Sequence, residues 1–140
     1  MAYLFDTDAI SELFRKRPAK DYVRWLARVP REEQFTSAVV VGELYRGAYG
    51  SAHAKRHIEN IEVRVLPAIV VLPFDAAVAR RYGEMGASLA GAGQPLADAD
   101  LQIAATALHH GLELVTGNLR HFRRVEGLRI CPVLAESRSG

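Results

Sequence analysis

Apolar and polar positions follow two rhythms along this chain, one with the period of a strand or buried run and one with the period of a helix. "YLF" at 3–5 is an unbroken apolar run that ends at Asp6, and "DTDAISELF" after it turns amphipathic, the change expected where a buried strand hands over to a helix. Thr7 or Asp8 can cap that helix, which stops near Pro18. In "DYVRWLARV" (21–29), Tyr22, Trp25, Leu26 and Val29 recur at helical spacing with arginines between them, predicting a second amphipathic helix. "QFTSA" (34–38) gives a short strand, and Ser37 can cap a helix that carries Val40, Val41, Leu44 and Tyr45. A basic helical segment is expected over 51–64, followed by a buried strand in "AIVVLPF" (68–74). Asp75 caps the next helix, whose Val78, Tyr82, Met85 and Leu89 share one face before "GAGQP" ends it. From Asp98 or Asp100 another helix runs to Gly111, with Leu101, Ala104, Ala105 and Leu108 on one side. "LELVT" (112–116) is a strand ending in the polar "TGN", and "LRICPV" (128–133) is the last.

Near-continuous apolar strands alternating with helices predict an α/β fold with a parallel sheet covered on both faces, in which function gathers beyond the carboxyl ends of the strands. Asp6 and the Thr116–Gly117–Asn118 stretch occupy two such ends, far apart in sequence. The length of 140 residues fits one domain over 1–140, and 49% hydrophobic with 24% charged residues is an ordinary globular balance. No apolar run reaches the roughly 18 residues needed to cross a bilayer, and no secretory pattern opens the chain, so a cytoplasmic protein without a membrane partner is expected. Cys131 is alone, which excludes an internal disulfide, and "RICPV" places it at the end of a buried strand. A net charge of +2 is too mild to define a polyanion partner by itself. Its distribution says more: cations gather at 15–20, 55–56 and 120–124 while acids stand at strand ends, an arrangement that suits either a nuclease or a solvated surface.

Asp6, Glu43, Asp98 and Asp100 each lie at a strand end or near a helix start, so the fold can bring them together. Carboxylates gathered without a cation repel and raise one another's pKa, and a divalent metal removes that penalty. Hard oxygen donors without a cysteine or histidine pattern favour Mg²⁺ or Mn²⁺, which would polarise a phosphodiester and help to deprotonate water. The simpler alternative for each acid is a helix cap or a surface ion pair, such as Glu43 with Arg46. "FDTDA" is also similar to the D-x-D signature of haloacid-dehalogenase-like phosphatases, with Asp6 as nucleophile. Those enzymes need a lysine and a pair of acids after the threonine strand, whereas beyond Thr116 this chain has only Glu126 and Glu136 and no lysine. His53 and His57 are one helical turn apart, but with lysine and arginine between them they read as a basic helix.

"LFDTDAISEL", "TSAVVVGELYRG", "PLADADLQIAATALHHGLELVTGN" and "LRHFRRVEGLRI", in this order and over nearly the whole chain, resemble a PIN-domain ribonuclease of the VapC toxin type. The resemblance implies a three-layer α/β/α domain with a central, mainly parallel, twisted sheet. It implies Mg²⁺- or Mn²⁺-dependent cleavage of RNA to a 5′-phosphate and a 3′-hydroxyl, with Asp6, Glu43 and Asp100 as metal ligands. The family's fourth acid would fall where this chain has Asn118 or His121, so Asp98 and Asp8 are the nearby acids that could compensate. Thr7 and Thr116 would orient carboxylates or water, and Arg15, Lys16, Arg46 and Arg120 would form an RNA-binding rim. A cognate antitoxin and a homodimer are expected from the family. Tyr22, Trp25, Leu26 and Tyr45 serve either as core or as the groove for the antitoxin's helix. The non-enzymatic alternative is a degenerate PIN-like module that binds RNA or a partner without cutting.

Overall fold

The computed structural model describes residues 1–139. Its strands are β1 (Tyr3–Phe5), β2 (Gln34–Ser37), β3 (Val70–Leu72), β4 (Glu113–Val115) and β5 (Ile130–Cys131), in one parallel sheet of order β3-β2-β1-β4-β5. The helices are α1 (Thr7–Ser11), α2 (Lys20–Leu26), α3 (Ala38–Tyr49), α4 (Ala54–Glu59), α5 (Ala76–Gly91), α6 (Asp98–His109), α7 (Leu119–Phe122) and α8 (Val133–Ser139). Strand order runs one way from β1 to β3 and the other way from β1 through β4 to β5. Right-handed crossovers therefore lay α1–α4 on one face and α5–α7 on the other, which gives the α/β/α layering. None of the described helices is long and apolar enough to cross a membrane.

Successive side chains of a strand point to opposite faces, and Leu4 and Phe5 are both buried, as are Leu114 and Val115. The centre of the sheet is thus covered on both sides, each fully buried leucine contributing about 2 kcal/mol. Around these residues pack Val40 of α3, Ile103, Ala104 and Ala107 of α6, and Leu134 of α8. Small residues bring α5 and α6 close: a Cβ on Gly86 would come within 3.0 Å of Leu101 Cδ2.

Several local expectations need correction. The first helix is only α1 followed by a 3₁₀ turn at Glu12–Phe14, whereas the basic segment is helical as expected, α4 being continued by a π-helical turn at Asn60–Val65. β3 is an edge strand, not a buried one, with Val70 48% and Val71 38% exposed, because it has β2 as its sole neighbour. The last strand stops at Cys131. After Pro132 the chain becomes α8, whose Ser137 Oγ accepts from Tyr22 N at 3.1 Å and ties it to α2. Proline just before a helix interior is compatible with its first turn, which is why the apolar "CPV" run does not continue as a strand.

Candidate active site

β1 is flanked by β2 and β4, the point at which the strand order changes direction, and Phe5 stands opposite Val115. The next residues, Asp6 and Thr116, are therefore neighbours at the carboxyl edge of the sheet, with Asp6 N donating to Val115 O at 3.2 Å. Asp6 itself caps α1: its backbone is extended and its Oδ1 accepts from Ala9 N at 2.8 Å. Neither Thr7 nor Asp8 is the cap. Being a cap and facing the mouth are compatible, since a carboxylate has a second oxygen and further lone pairs to offer.

The side chain of Asp6 is buried, and the Thr116 hydroxyl hydrogen-bonds to it. Thr116 Oγ1 accepts from Asn118 N at 2.9 Å, which leaves the hydroxyl proton for Asp6. Burial pushes the Asp6 carboxyl up to about 7, against the Thr116 and Ala9 hydrogen bonds and with help from the charges of Asp8 and Asp100. Asp100, in the first turn of α6, is raised chiefly by burial and then by the charge of Glu43, while His121 opposes the shift. Glu43, on α3, accepts a hydrogen bond from the Thr7 hydroxyl through Oε1. Asp6, Asp100 and Glu43 thus feel one another in series across the mouth. Among the described residues, however, no three acidic, histidine or cysteine side chains close into a ready-made cation cage.

The other candidates divide. Asp98 is exposed and accepts from the Tyr82 hydroxyl at 2.9 Å, outside this series. Asp8 is held by Arg138 through two hydrogen bonds of 2.8 and 2.9 Å. Asn118 Nδ2 and His121 Nδ1 are 2.8 Å apart, so these two polar groups share the place where sequence reasoning sought a fourth acid. Arg15, Lys16, Arg46 and Arg120 are all exposed, and Arg15 also reaches Glu12 at 3.4 Å.

Tyr22 and Leu26 line one cleft, whereas Trp25 and Tyr45 are not among its lining residues. Tyr22 is fully buried with its hydroxyl on Ala9 O at 2.8 Å, and Trp25 packs edge-on against Tyr3 at 5.1 Å. Leu26 borders an apolar cleft of about 270 Å³ with Phe5, Ile10, Phe14 and Ile69. Tyr45 instead stacks on Tyr49 and donates to Glu62 at 3.0 Å.

Two residues escaped the sequence altogether. Glu12 is only 2% exposed, yet it follows an amphipathic pattern in which it reads as the solvent face. Burial would raise its carboxyl, but hydrogen bonds from Arg138 Nε at 3.0 Å and Ala19 N at 2.8 Å hold it below the usual carboxylate range. Arg138 lies 126 residues away, so no local spacing signals the pair.

Comparison with known proteins identifies the family. Residues 3–128 match the PIN domain family. The chain is 33% identical to Ribonuclease VapC2 of Haemophilus influenzae, over 92% of this chain and 96% of that protein. It is 36% identical to the tRNA(fMet)-specific endonuclease VapC of Shigella flexneri, with the same coverage of 92% and 96%. Among solved structures, FitAcB from Neisseria gonorrhoeae superposes with a TM-score of 0.85 at 32% identity, covering 93% of this chain and 97% of that one. Matched along nearly its whole length in both sequence and fold, the chain belongs to the PIN-domain family and, within it, to the VapC ribonucleases.

Proposed function

We propose that this protein is a divalent-cation-dependent endoribonuclease and the toxin of a toxin–antitoxin pair, with Asp6, Glu43 and Asp100 as its metal-holding acids. The observation that carries this is the electrostatic series: Asp6 and Asp100 interact, Asp100 and Glu43 interact, and burial leaves the first two poorly compensated. A donor set of carboxylate oxygens fits Mg²⁺ or Mn²⁺ rather than a softer metal. When bound, such a cation supplies charge neutralisation at the scissile phosphate and a more acidic water.

The chain's own groups have separable tasks. Thr116 and Thr7 fix the orientation of Asp6 and Glu43 through their hydroxyls. Asn118 and His121 offer a hydrogen-bond donor and a titratable imidazole to phosphate oxygens entering the mouth. Arg15, Lys16, Arg46 and Arg120 hold the RNA backbone around it. Cleavage leaves a 5′-phosphate and a 3′-hydroxyl, and the transfer RNA named for the Shigella relative is the first substrate to try. The cleft beside Leu26 is the site for an apolar helix of the cognate antitoxin.

Asp6→Asn is the decisive variant, because an amide oxygen can keep the cap on Ala9 that Asp6→Ala would lose. With Mg²⁺ present it should cut RNA slower by about two orders of magnitude or more while melting as a folded protein. Wild-type rates in the folded variant overturn the assignment. The presence of Asn118 and His121 at the expected place of a fourth acid favours, as a second reading, a degenerate module that binds RNA without cutting. Such a module would bind RNA equally in Mn²⁺ or chelator, whereas the nuclease is silenced by chelator.

A further inference from the structure

Arg138 stands near the end of α8, 130 residues from Asp8, and its guanidinium fork spans both oxygens of Asp8 at 2.8 and 2.9 Å. Its Nε also donates to the buried Glu12 at 3.0 Å, and the far oxygen of Glu12 accepts from Ala19 N at 2.8 Å. The arginine is therefore fixed from both sides rather than swinging in solvent, and only a planar fork satisfies both acids together. The ion pair lies directly on the backbone of the turn after β4: a Cβ built on Gly117 would collide with Arg138 Nη1 and Asp8 Oδ2. Gly117 separates Thr116, which bonds to Asp6, from Asn118, which meets His121.

We propose that Arg138 is a positioning residue for the active site: it withdraws Asp8 from the acid cluster and holds the 116–118 turn in place. The mouth is then built from Asp6, Glu43 and Asp100, and an incoming phosphate meets no fourth carboxylate. This inference rests on the metal-dependent nuclease reading of the site. Without Arg138, Asp8 becomes a free carboxylate two residues from Asp6. It can then join in cation binding, and it repels the RNA backbone.

Arg138→Met keeps the apolar stem and removes the fork. In the full-length variant the Kd for Mn²⁺ should fall and the KM for RNA should rise, each by about three-fold or more, with kcat changing less. Adding Asp8→Asn should return both constants toward wild type, because the charge at fault is gone. A merely structural tether would weaken both kinds of binding and gain nothing from Asp8→Asn. If Arg138→Met does not fold with Glu12 deprived of its guanidinium partner, Gly117→Ala displaces the ion pair from the turn while Arg138 keeps Glu12. The same shifts and the same rescue are then expected. Unchanged constants in the folded variant, or no rescue by Asp8→Asn, overturn this inference alone. A wild-type protein that neither binds Mn²⁺ nor cuts RNA overturns the nuclease assignment, and this inference with it.

Discussion

Asp6 shows how a residue's surroundings set its behaviour. Its carboxyl has an ordinary value of 3.8 and is pushed up to about 7 in the fold, so the folded protein takes up a proton that the unfolded chain has already released. The stabilisation from that proton is full below about 3.8 and is lost as pH rises through about 7. In the absence of divalent cations, wild type should therefore lose stability relative to Asp6→Asn between about pH 4 and about pH 7, by a few kcal/mol. Urea melts of both proteins across that range check this, and a constant difference would contradict the buried, poorly compensated carboxylate. Asp6, Glu43 and Asp100 could be picked out as candidates in the sequence because strand ends and helix starts are local signals. Glu12 could not. It is buried against Arg138, 126 residues away, a partner that no local spacing signals.

At the level of elements, the caps of α3 and α5 were foreseen, although that of α1 was not. Ser37 and Asp75 accept from Val40 N and Val78 N at 3.1 and 3.0 Å, as their sequence positions implied, since a cap bond spans only three residues. Where β3 lies in the sheet, and hence the exposure of Val70 and Val71, is fixed by strand order, which no window of sequence contains. The short α7 and the C-terminal α8 were missed because neither offers enough periodic positions to declare itself. The close approach of α5 to α6 gives a direct test of packing. Gly86→Val would drive its side chain against Leu101 and should cost about 1–3 kcal/mol in denaturant melts, with cleavage per folded molecule unchanged. A neutral or stabilising effect would mean that the two helices can separate without loss.

Taken whole, the molecule places acids at the switch point of its sheet and leaves cations exposed on the elements around it. The net charge of +2 conceals that division. RNA affinity should fall as salt rises, and Lys16→Gln and Arg120→Gln should each lower the log–log slope by roughly 0.7 if they neutralise a phosphate of a single strand. Filter binding over a salt series measures the slope. A slope that does not change would remove those two residues from the rim.

The register of β1 also has a consequence in time. β1, which leads into Asp6, is made well before its partner across the switch point: Val115 of β4 follows Phe5 by 110 positions, and Arg138 follows later still. At translation rates of roughly 5–20 residues per second, many seconds separate the making of Asp6 from the making of the residues that shape its surroundings. A nascent chain on the ribosome thus carries Asp6 for a time without the neighbours that the fold gives it, and the proposed site takes shape only once β4 has been translated.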